Sequence, residues 1–259
     1  MTASPWNPEQ YSRFADERSQ PFYDLLAMVQ PIPGGRAIDL GCGTGELTRV
    51  MHERVQAEAT IGLDNSETML EKSAGFAGNG LAFRLGTILR FAPRRPMDLL
   101  FSNAAIQWVP DHAALFPRLA SGVAPGGQLA IQMPANFDYP SHVIAGEVAA
   151  ESPFAEAMNG YVRQDNVRAP EWYAETLDGL CFEQLNVRMQ VYIHHLASRE
   201  EVVEWVKGSL LTDYQQRLPV ELWPEFLERY RARLLPALSD ARPFFYPFKR
   251  ILMWGRKPG

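Results

Sequence analysis

Two carboxylates and three glycines carry the chemistry most open to reading in this chain. The apolar run Arg36-Ala37-Ile38-Asp39-Leu40 breaks into Gly41-Cys42-Gly43-Thr44-Gly45, and Asp64 closes a second apolar run further on. Glycines at alternate positions after a strand let the backbone turn sharply and approach a ligand, because no Cβ stands in the way. Asp64 falls where an acidic side chain accepts hydrogen bonds from both hydroxyls of a ribose. The spacing separates cofactors. A dinucleotide loop reads G-x-G-x-x-G and seats a pyrophosphate over a helix N-terminus, whereas the order here is Asp39-x-Gly41-x-Gly43-x-Gly45. A carboxylate beside the loop repels a pyrophosphate and attracts an ammonium group. The ligand that fits carries an amino acid at one end and a nucleoside at the other. A tight strand-to-helix turn with no ligand is the plainer reading of the glycines alone, and the two acids argue against it.

Such residues need a scaffold that brings strand ends together. Apolar runs at Arg36 to Leu40, Ala59 to Leu63, Leu81 to Leu85, Met97 to Phe101 and Gly127 to Met133 have strand length and are separated by helix-length polar segments. That alternation predicts a parallel sheet with helices on both faces, in which ligands bind beyond the carboxyl ends of the strands. Asp39, Asp64, Asn103 and Gln132 all fall at or near such ends. The second half reads differently: an irregular connection from Pro134 to Pro170 with a helix around Ser141 to Ala150, then long strands at Cys181 to His195 and Phe244 to Trp254. Between these strands the spacing predicts two helices. Ser198-Arg199-Glu200-Glu201 reads as a capping box opening the first, with Val202, Val203, Trp205, Val206 and Leu210 as its apolar face. Leu222, Trp223, Phe226, Leu227, Tyr230, Leu234 and Leu238 recur at helical spacing in the second, so Trp223 and Phe226 are assigned to packing.

Composition bounds the rest. With 259 residues, 46% of them hydrophobic, the chain can bury one domain with an insertion or two small ones. No apolar run reaches the ~18 residues of a membrane span, and the first residues lack the basic and apolar regions of a secretory leader, so a cytoplasmic location is expected. Two cysteines, Cys42 and Cys181, make neither a disulfide framework nor a zinc cluster, and Cys42 reads as filler beside the loop. Five histidines without ligand spacing give no metal site. A net charge of −5 and a pI near 5.6 weigh against nucleic acid as a partner.

Beyond the glycine loop, the chain resembles class I S-adenosylmethionine-dependent methyltransferases, and more narrowly the trans-aconitate 2-methyltransferase family. The residues that carry the likeness are Trp6-Asn7-Pro8-x-x-Tyr11, Glu17-Arg18-Ser19, Gln107-Trp108-Val109-Pro110-Asp111-His112, Gln132-Met133-Pro134-x-Asn136, Gly179-x-Cys181, Tyr192, His194 and Glu204-Trp205-Val206. The resemblance implies a Rossmann-like sheet of seven strands, mostly parallel with the last antiparallel, and a helical insertion as substrate cover. It implies a helical lid over 1–30, a cofactor core over 31–136, a connection with helices over 137–180, and late strands over 181–259 enclosing the insertion 197–240. The cofactor would be S-adenosyl-L-methionine. Asp39 and Gly41 would lie near its methionine end, Asp64 on the ribose, Thr87 and Ile88 at the adenine, and Asn103 and Ala104 around the thioether and methyl, with Cys42, Gly43, Gly45 and Asn65 as further cofactor-binding residues. Leu85-Gly86-Thr87-Ile88 departs from the superfamily, which usually has an acid bonding the adenine amino group there; Thr87 is a neutral and weaker acceptor.

The implied reaction makes a monomethyl ester on a small polycarboxylic acid, and it asks little of the protein. A carboxylate is already ionised at pH 7, so no general base is required, and in-line approach to the sulfonium carbon is a matter of positioning and desolvation. A polyanionic substrate does demand cations or convergent donors. The candidates are Arg18, Gln107, Trp108, His142, His194 (or the neighbouring His195), Lys249 and Arg250. Each has a duller reading: Arg18 as a surface ion pair with Glu17, the histidines as core or exposed residues, Lys249 and Arg250 as the solvated face of an edge strand. Three functions stay open: a trans-aconitate-type carboxyl methyltransferase, a methyltransferase for another acid such as a carrier-bound malonyl thioester, and a non-catalytic binder of S-adenosylhomocysteine; the oligomeric state is open, with a monomer favoured.

Overall fold

A computed structural model describes secondary structure over residues 15–259 and side chains over 19–259. Trp6, Asn7, Pro8, Tyr11, Glu17 and the substrate candidate Arg18 therefore lie outside the described side chains. The elements run α1 (Ala15–Leu26), β1 (Arg36–Leu40), α2 (Glu46–Val55), β2 (Ala59–Asp64), α3 (Glu67–Ser73), β3 (Leu81–Leu85), β4 (Met97–Asn103), α4 (His112–Ser121), β5 (Val123–Pro134), α5 (Pro140–Ala149), α6 (Phe154–Ala157), α7 (Pro170–Gly179), β6 (Glu183–Leu196), α8 (Glu200–Lys207), α9 (Leu210–Arg217), α10 (Trp223–Ala237) and β7 (Phe244–Arg256). Every expected strand is present, some longer than the apolar run that announced it.

The seven strands form one sheet in the order β3-β2-β1-β4-β5-β7-β6. β1 to β5 pair in parallel and β7 runs antiparallel to β5. From β1 the chain moves outward to β2 and β3 on one side, and β4 returns to the other, which creates a topological switch point at the carboxyl ends of β1 and β4. Ala37 to Leu40 are all buried, as a strand covered on both faces must be. β6, at the edge, instead alternates exposed and buried residues towards its end. β7 is interior, so Lys249 and Arg250 are not the solvated face of an edge strand.

Contacts divide the chain into two units, each assembled from separate stretches. A sheet unit comprises Ser19–Ala135, Asn166–Gln190 and Arg250–Gly259; a helical unit comprises, among the described residues, Asn136–Asp165 and Val191–Lys249. The sheet unit is centred on Leu40, Leu100, Phe116, Leu129, Ile131, Tyr173 and Ile251. The helical unit has its own core of Val202, Val203, Leu211, Phe226, Tyr230, Leu234 and Tyr246. Trp223 stacks on Phe226 with centroids 5.7 Å apart, a packing role as expected.

Two local expectations are corrected. Three helices, not two, separate β6 from β7, because Gly208 ends α8 and Leu210 opens α9 instead of finishing the apolar face of its predecessor. Ser198 is not a helix cap. Arg199, already at helical angles, holds that position without a side-chain bond, and the Glu201 carboxylate reaches back one residue further, accepting from the Ala197 N–H at 2.9 Å. Arg199 turns to the end of α10, donating to Leu235 O and Leu238 O at 3.0 and 3.1 Å. Among the described residues no helix is long and apolar enough to cross a membrane.

Candidate active site

The loop after β1 is tied to β2: the N–H groups of Gly41 and Cys42 both donate to Leu63 O, at 2.7 and 3.1 Å. Gly41 and Gly43 are needed for different reasons. At Gly41, φ is +82° and an added Cβ would stand 2.2 Å from the Ala105 Cβ, so the residue lets two loops of the protein meet. At Gly43, φ is +55° and an added Cβ would meet nothing within 4 Å, so the backbone lies bare towards open space. Gly45, packed against the Phe83 ring, leads into α2. Cys42 fills the turn; burial first, then the charges of Asp39 and Asp64, push its thiol pKa up, which keeps it protonated and unreactive.

The two acids stand at adjacent strand ends. Asp39 is 4% exposed, and its Oδ2 accepts from the Thr48 hydroxyl at 2.6 Å. Burial raises its pKa from 3.8 to about 7, with the Thr48 bond pulling down and Asp64 adding to the rise. Among the described residues no cation pairs with this buried carboxylate, an environment that an incoming ammonium group relieves. Asp64 Oδ2 accepts from the Gly43 N–H at 2.8 Å and Oδ1 from the Ser66 N–H at 2.9 Å. These bonds lock the acid to the glycine loop and leave each oxygen lone-pair capacity for a hydroxyl donor. Asn65 is exposed beside it. At the end of β3, Thr87 Oγ1 accepts from the Leu89 N–H at 3.3 Å, capping the short turn Ile88–Arg90. The Ile88 Cδ1 comes within 4.0 Å of the Cβ position at Gly41.

The rim continues at β4 and β5. Asn103 ends β4, and Ala104 takes φ +54°, a left-handed conformation unusual for a residue with a Cβ and common near functional loops. The Ala104 N–H donates to Gln132 O at 2.9 Å. The Gln132 side chain is fully buried; with its amide turned so that both ends are satisfied, its nitrogen donates to Asn103 Oδ1 at 2.7 Å and its oxygen accepts from Arg250 Nη1 at 3.0 Å. Arg250, only 5% exposed, thus braces Asn103 through Gln132. Gln107 Nε2 donates to Ala104 O at 2.7 Å, while its Oε1 is buried with no hydrogen-bond partner among the described residues. Trp108 is half-buried next to it.

The motif that follows is structural at its far end. Asp111 caps α4 by accepting from the Ala114 N–H at 3.1 Å. His112 is 1% exposed, with its Nε2 at 3.1 Å from Ile106 O and its Nδ1 at 2.6 Å from the Tyr173 hydroxyl. Burial lowers the His112 pKa and lifts that of Tyr173 to about 12, so both are neutral and the hydroxyl donates to Nδ1 while Nε2–H donates to the carbonyl. The turn that carries Gln107 and Trp108 is thereby pinned to α7.

The other substrate candidates lie in the helical unit. His194 is 4% exposed and packs in an aromatic cluster, its ring 4.6 Å from Trp205. Lys249 Nζ is ion-paired with Asp138. His142 lines a cavity with Arg163, Asp165 and Tyr214. Thr48, Ser66, Gln132, Arg163 and Tyr214 were not singled out from the sequence as site residues. Gln132 was noted for its strand-end position and as part of the family-like segment Gln132-Met133-Pro134-x-Asn136, and Thr48 carries a usable signal of its own, a hydroxyl in the first turn of the helix after a glycine loop.

The polar groups on the sheet rim suit a ligand with both an ammonium group and a ribose. Among the described residues Asp39 offers a buried carboxylate with no paired cation, Asp64 a pair of acceptor oxygens, Gly43 an open backbone and Gln107 a buried acceptor with no partner. The comparisons with known proteins agree. A family model described as a methyltransferase domain matches residues 33–179. A trans-aconitate 2-methyltransferase of Sinorhizobium fredii is 39% identical over 241 residues, covering 92% of this chain and 93% of its own. Those of Methylobacterium nodulans (39% over 257 residues, 97% and 98% covered) and Deinococcus radiodurans (38% over 259 residues, 98% of each) span nearly the full length. Among solved structures, the YcgJ protein of Bacillus subtilis superposes with a TM-score of 0.59 at 14% identity, covering 92% of this chain and 98% of that one. Haemonchus contortus phosphoethanolamine N-methyltransferase 2, in complex with S-adenosyl-L-methionine, superposes with a TM-score of 0.54 at 18% identity, covering 92% and 52%. These structures share the fold. The chain belongs to the trans-aconitate 2-methyltransferase family of S-adenosylmethionine-dependent methyltransferases.

Proposed function

We propose that this enzyme methylates one carboxylate of trans-aconitate, giving a monomethyl ester. The observation that carries the reading is the identity of 38–39%, over 92–98% of the chain, with relatives that bear that activity in their names. Asp39 receives the ammonium of the cofactor, where its buried charge finds a partner, and Asp64 receives the ribose diol on oxygens already oriented by Gly43 and Ser66. Thr87 and Ile88 border the adenine, with Asn65 beside the ribose. Asn103, held by Gln132, and the strained Ala104 border the reacting group, and Gln107 and Trp108 face the acceptor. When bound, S-adenosylmethionine supplies an electrophilic methyl group on its sulfonium. The chain itself orients and desolvates a carboxylate that is already an anion at neutral pH, so its groups position and pair charges without removing a proton. Arg18 is the further cation of this reading.

The test is methyl transfer from methyl-labelled S-adenosylmethionine to a panel of di- and tricarboxylates headed by trans-aconitate, scored as base-labile product releasing methanol. Efficient labelling of trans-aconitate is expected. Labelling of another acid in its place, or of none while the cofactor still binds, overturns the substrate assignment.

A further inference from the structure

Two amide side chains flank the left-handed Ala104, and the protein ties down one end of each. The turned amide of Gln132 donates to Asn103 Oδ1 at 2.7 Å, so the end of Asn103 left over is its nitrogen. Gln107 Nε2 donates to Ala104 O at 2.7 Å, so the end left over there is the oxygen. Gln107 is 8% exposed, and its Oε1 has no hydrogen-bond partner among the described residues. An amide oxygen can only accept, and a buried one left unmet is costly, so native folds seldom keep such a group without a use for it.

The short turn Ile106–Trp108 is held from behind at two successive carbonyls, all within the sheet unit. His112 Nε2–H donates to Ile106 O at 3.1 Å, and Asn166 Nδ2 donates to Gln107 O at 3.3 Å. The Tyr173 hydroxyl, which donates to His112 Nδ1, accepts in turn from the Arg168 N–H at 2.9 Å. The segment from Asn166 to Tyr173 thus braces the turn and fixes the direction of the Gln107 amide. The charges behind the two amides differ. Arg250 stands behind Asn103, through Gln132. Behind Gln107 stand His112 and Tyr173, both neutral, with the exposed Arg168 and Asp111 of opposite sign acting on His112. The glycine loop, which carries Asp39 beneath it and is bonded to Asp64, meets this turn where Gly41 packs on Ala105. A ligand carboxyl beside Asn103 therefore finds a donor backed by a cation, and one beside Gln107 finds an acceptor backed by neutral groups. The first favours the ionised form and the second the protonated form.

We propose that these two amides sort the carboxyl groups of the acid: Asn103 Nδ2 donates to the ionised carboxylate that receives the methyl group, and Gln107 Oε1 accepts from the hydroxyl of a second carboxyl that keeps its proton. The inference rests on the carboxyl methyltransferase reading and adds to it the protonation state in which the acid is bound. The proton comes from the buffer when the acid binds and returns to it when the ester leaves; the reacting carboxylate takes no part in that exchange. Holding one carboxyl neutral also lowers the number of buried negative charges that cations must balance.

The experiment is calorimetric binding of trans-aconitate to the protein saturated with S-adenosylhomocysteine, at pH 7 in buffers of different ionisation enthalpy, which counts the protons exchanged. Free carboxyls with pKa values near about 4 are ionised at pH 7, so a retained proton appears as uptake of about one proton per acid bound, with affinity falling about tenfold from pH 7 to pH 8. In Gln107→Met, which keeps the length of the side chain and loses the acceptor, uptake should fall towards zero and the pH dependence flatten, with affinity for S-adenosylhomocysteine within about twofold of the wild type. A merely structural role weakens binding without changing the proton count. Gln107→Leu takes the place of the methionine variant if that one does not fold. Uptake near zero in the wild type overturns the proposal, and so does a folded variant that takes up as many protons as the wild type. Methyl transfer to trans-aconitate without proton uptake overturns this proposal alone; absence of both acid binding and methyl transfer overturns the function reading with it.

Discussion

Replacing Asp39 with asparagine should stabilise the protein and disable it at the same pH. Asp39 has a pKa of about 7 against 3.8 for an ordinary aspartate, chiefly because burial penalises its charged form. A folded pKa above the unfolded one means that the native state holds a proton the unfolded chain has lost. Stability on this account is full below about pH 4, declines as the pH rises, and is lost once the pH exceeds about 7. At about 1.36 kcal/mol per pKa unit, the displacement of roughly three units penalises the ionised native state by on the order of 4 kcal/mol. Asparagine keeps the shape and an oxygen for the Thr48 hydroxyl, and it carries no charge. Asp39→Asn should therefore recover about 2–4 kcal/mol at pH 8, about 1–2 kcal/mol at pH 5, where the unfolded carboxyl is ionised and the native one is not, and close to nothing below about pH 4. For a chain of this size that is a rise in Tm of about 5–10 °C at pH 8. The same change removes the partner assigned to the cofactor ammonium, so affinity for S-adenosylmethionine should fall at least about tenfold. In the wild type, cofactor affinity should also weaken as the pH drops from 8 to 6, a dependence the variant lacks. Scanning fluorimetry across pH 5 to 8 and calorimetry with the cofactor test both halves. A Tm that drops at pH 8, or an equal shift at pH 5 and pH 8, would refute the buried-charge argument; undiminished cofactor binding would refute the ammonium assignment.

Other substitutions separate neighbouring roles. Gly43→Ala should leave the melting temperature within a few degrees and raise the KM for the cofactor, whereas Gly41→Ala, whose Cβ would lie 2.2 Å from the Ala105 Cβ, should destabilise the fold before any kinetic question arises; soluble yield, thermal melts and cofactor titration distinguish them. Gln132→Leu severs the link between Arg250 and Asn103, so we expect about 1–3 kcal/mol of destabilisation and a fall in kcat larger than the change in cofactor affinity; equal loss of both would remove the positioning role. Thr87→Asp preserves an acceptor for the Leu89 N–H and adds a charged one for an exocyclic amine, and calorimetry should show tighter S-adenosylmethionine binding. Equal or weaker binding would detach Thr87 from the adenine.

What the sequence made readable was whatever depends on neighbours along the chain. The strands declared themselves because a strand covered on both faces must be apolar throughout, as Ala37 to Leu40 are. Asp39, Gly41, Gly43 and Asp64 were readable because a parallel sheet delivers the ends of successive strands to one edge. The break at Gly208 was not, since the apolar spacing from Val202 to Leu210 suits one helix as well as two, and only packing chooses. Asp111 and His112 stood out only as part of the family-like segment Gln107 to His112; Asp111 caps a helix and His112 meets Tyr173, a partner 61 residues away.

The cations show most clearly why a site resists reading from residue types. Lys249 and Arg250 are adjacent and formally equivalent in sequence, yet they belong to different units, one paired with Asp138 and the other bonded to the buried amide of Gln132. His142 and His194 share a residue type, and one lines a polar cavity while the other sits among aromatic rings. Arg163, which no motif marks, acquires its place from Tyr214, 51 residues distant. The value of a cation for binding an anion is set by burial and by the nearest opposing charge, because these fix how much of its field reaches a ligand. Both are properties of contacts between remote segments, which is why the glycine loop and its acids stand out on inspection and the surroundings of each cation do not.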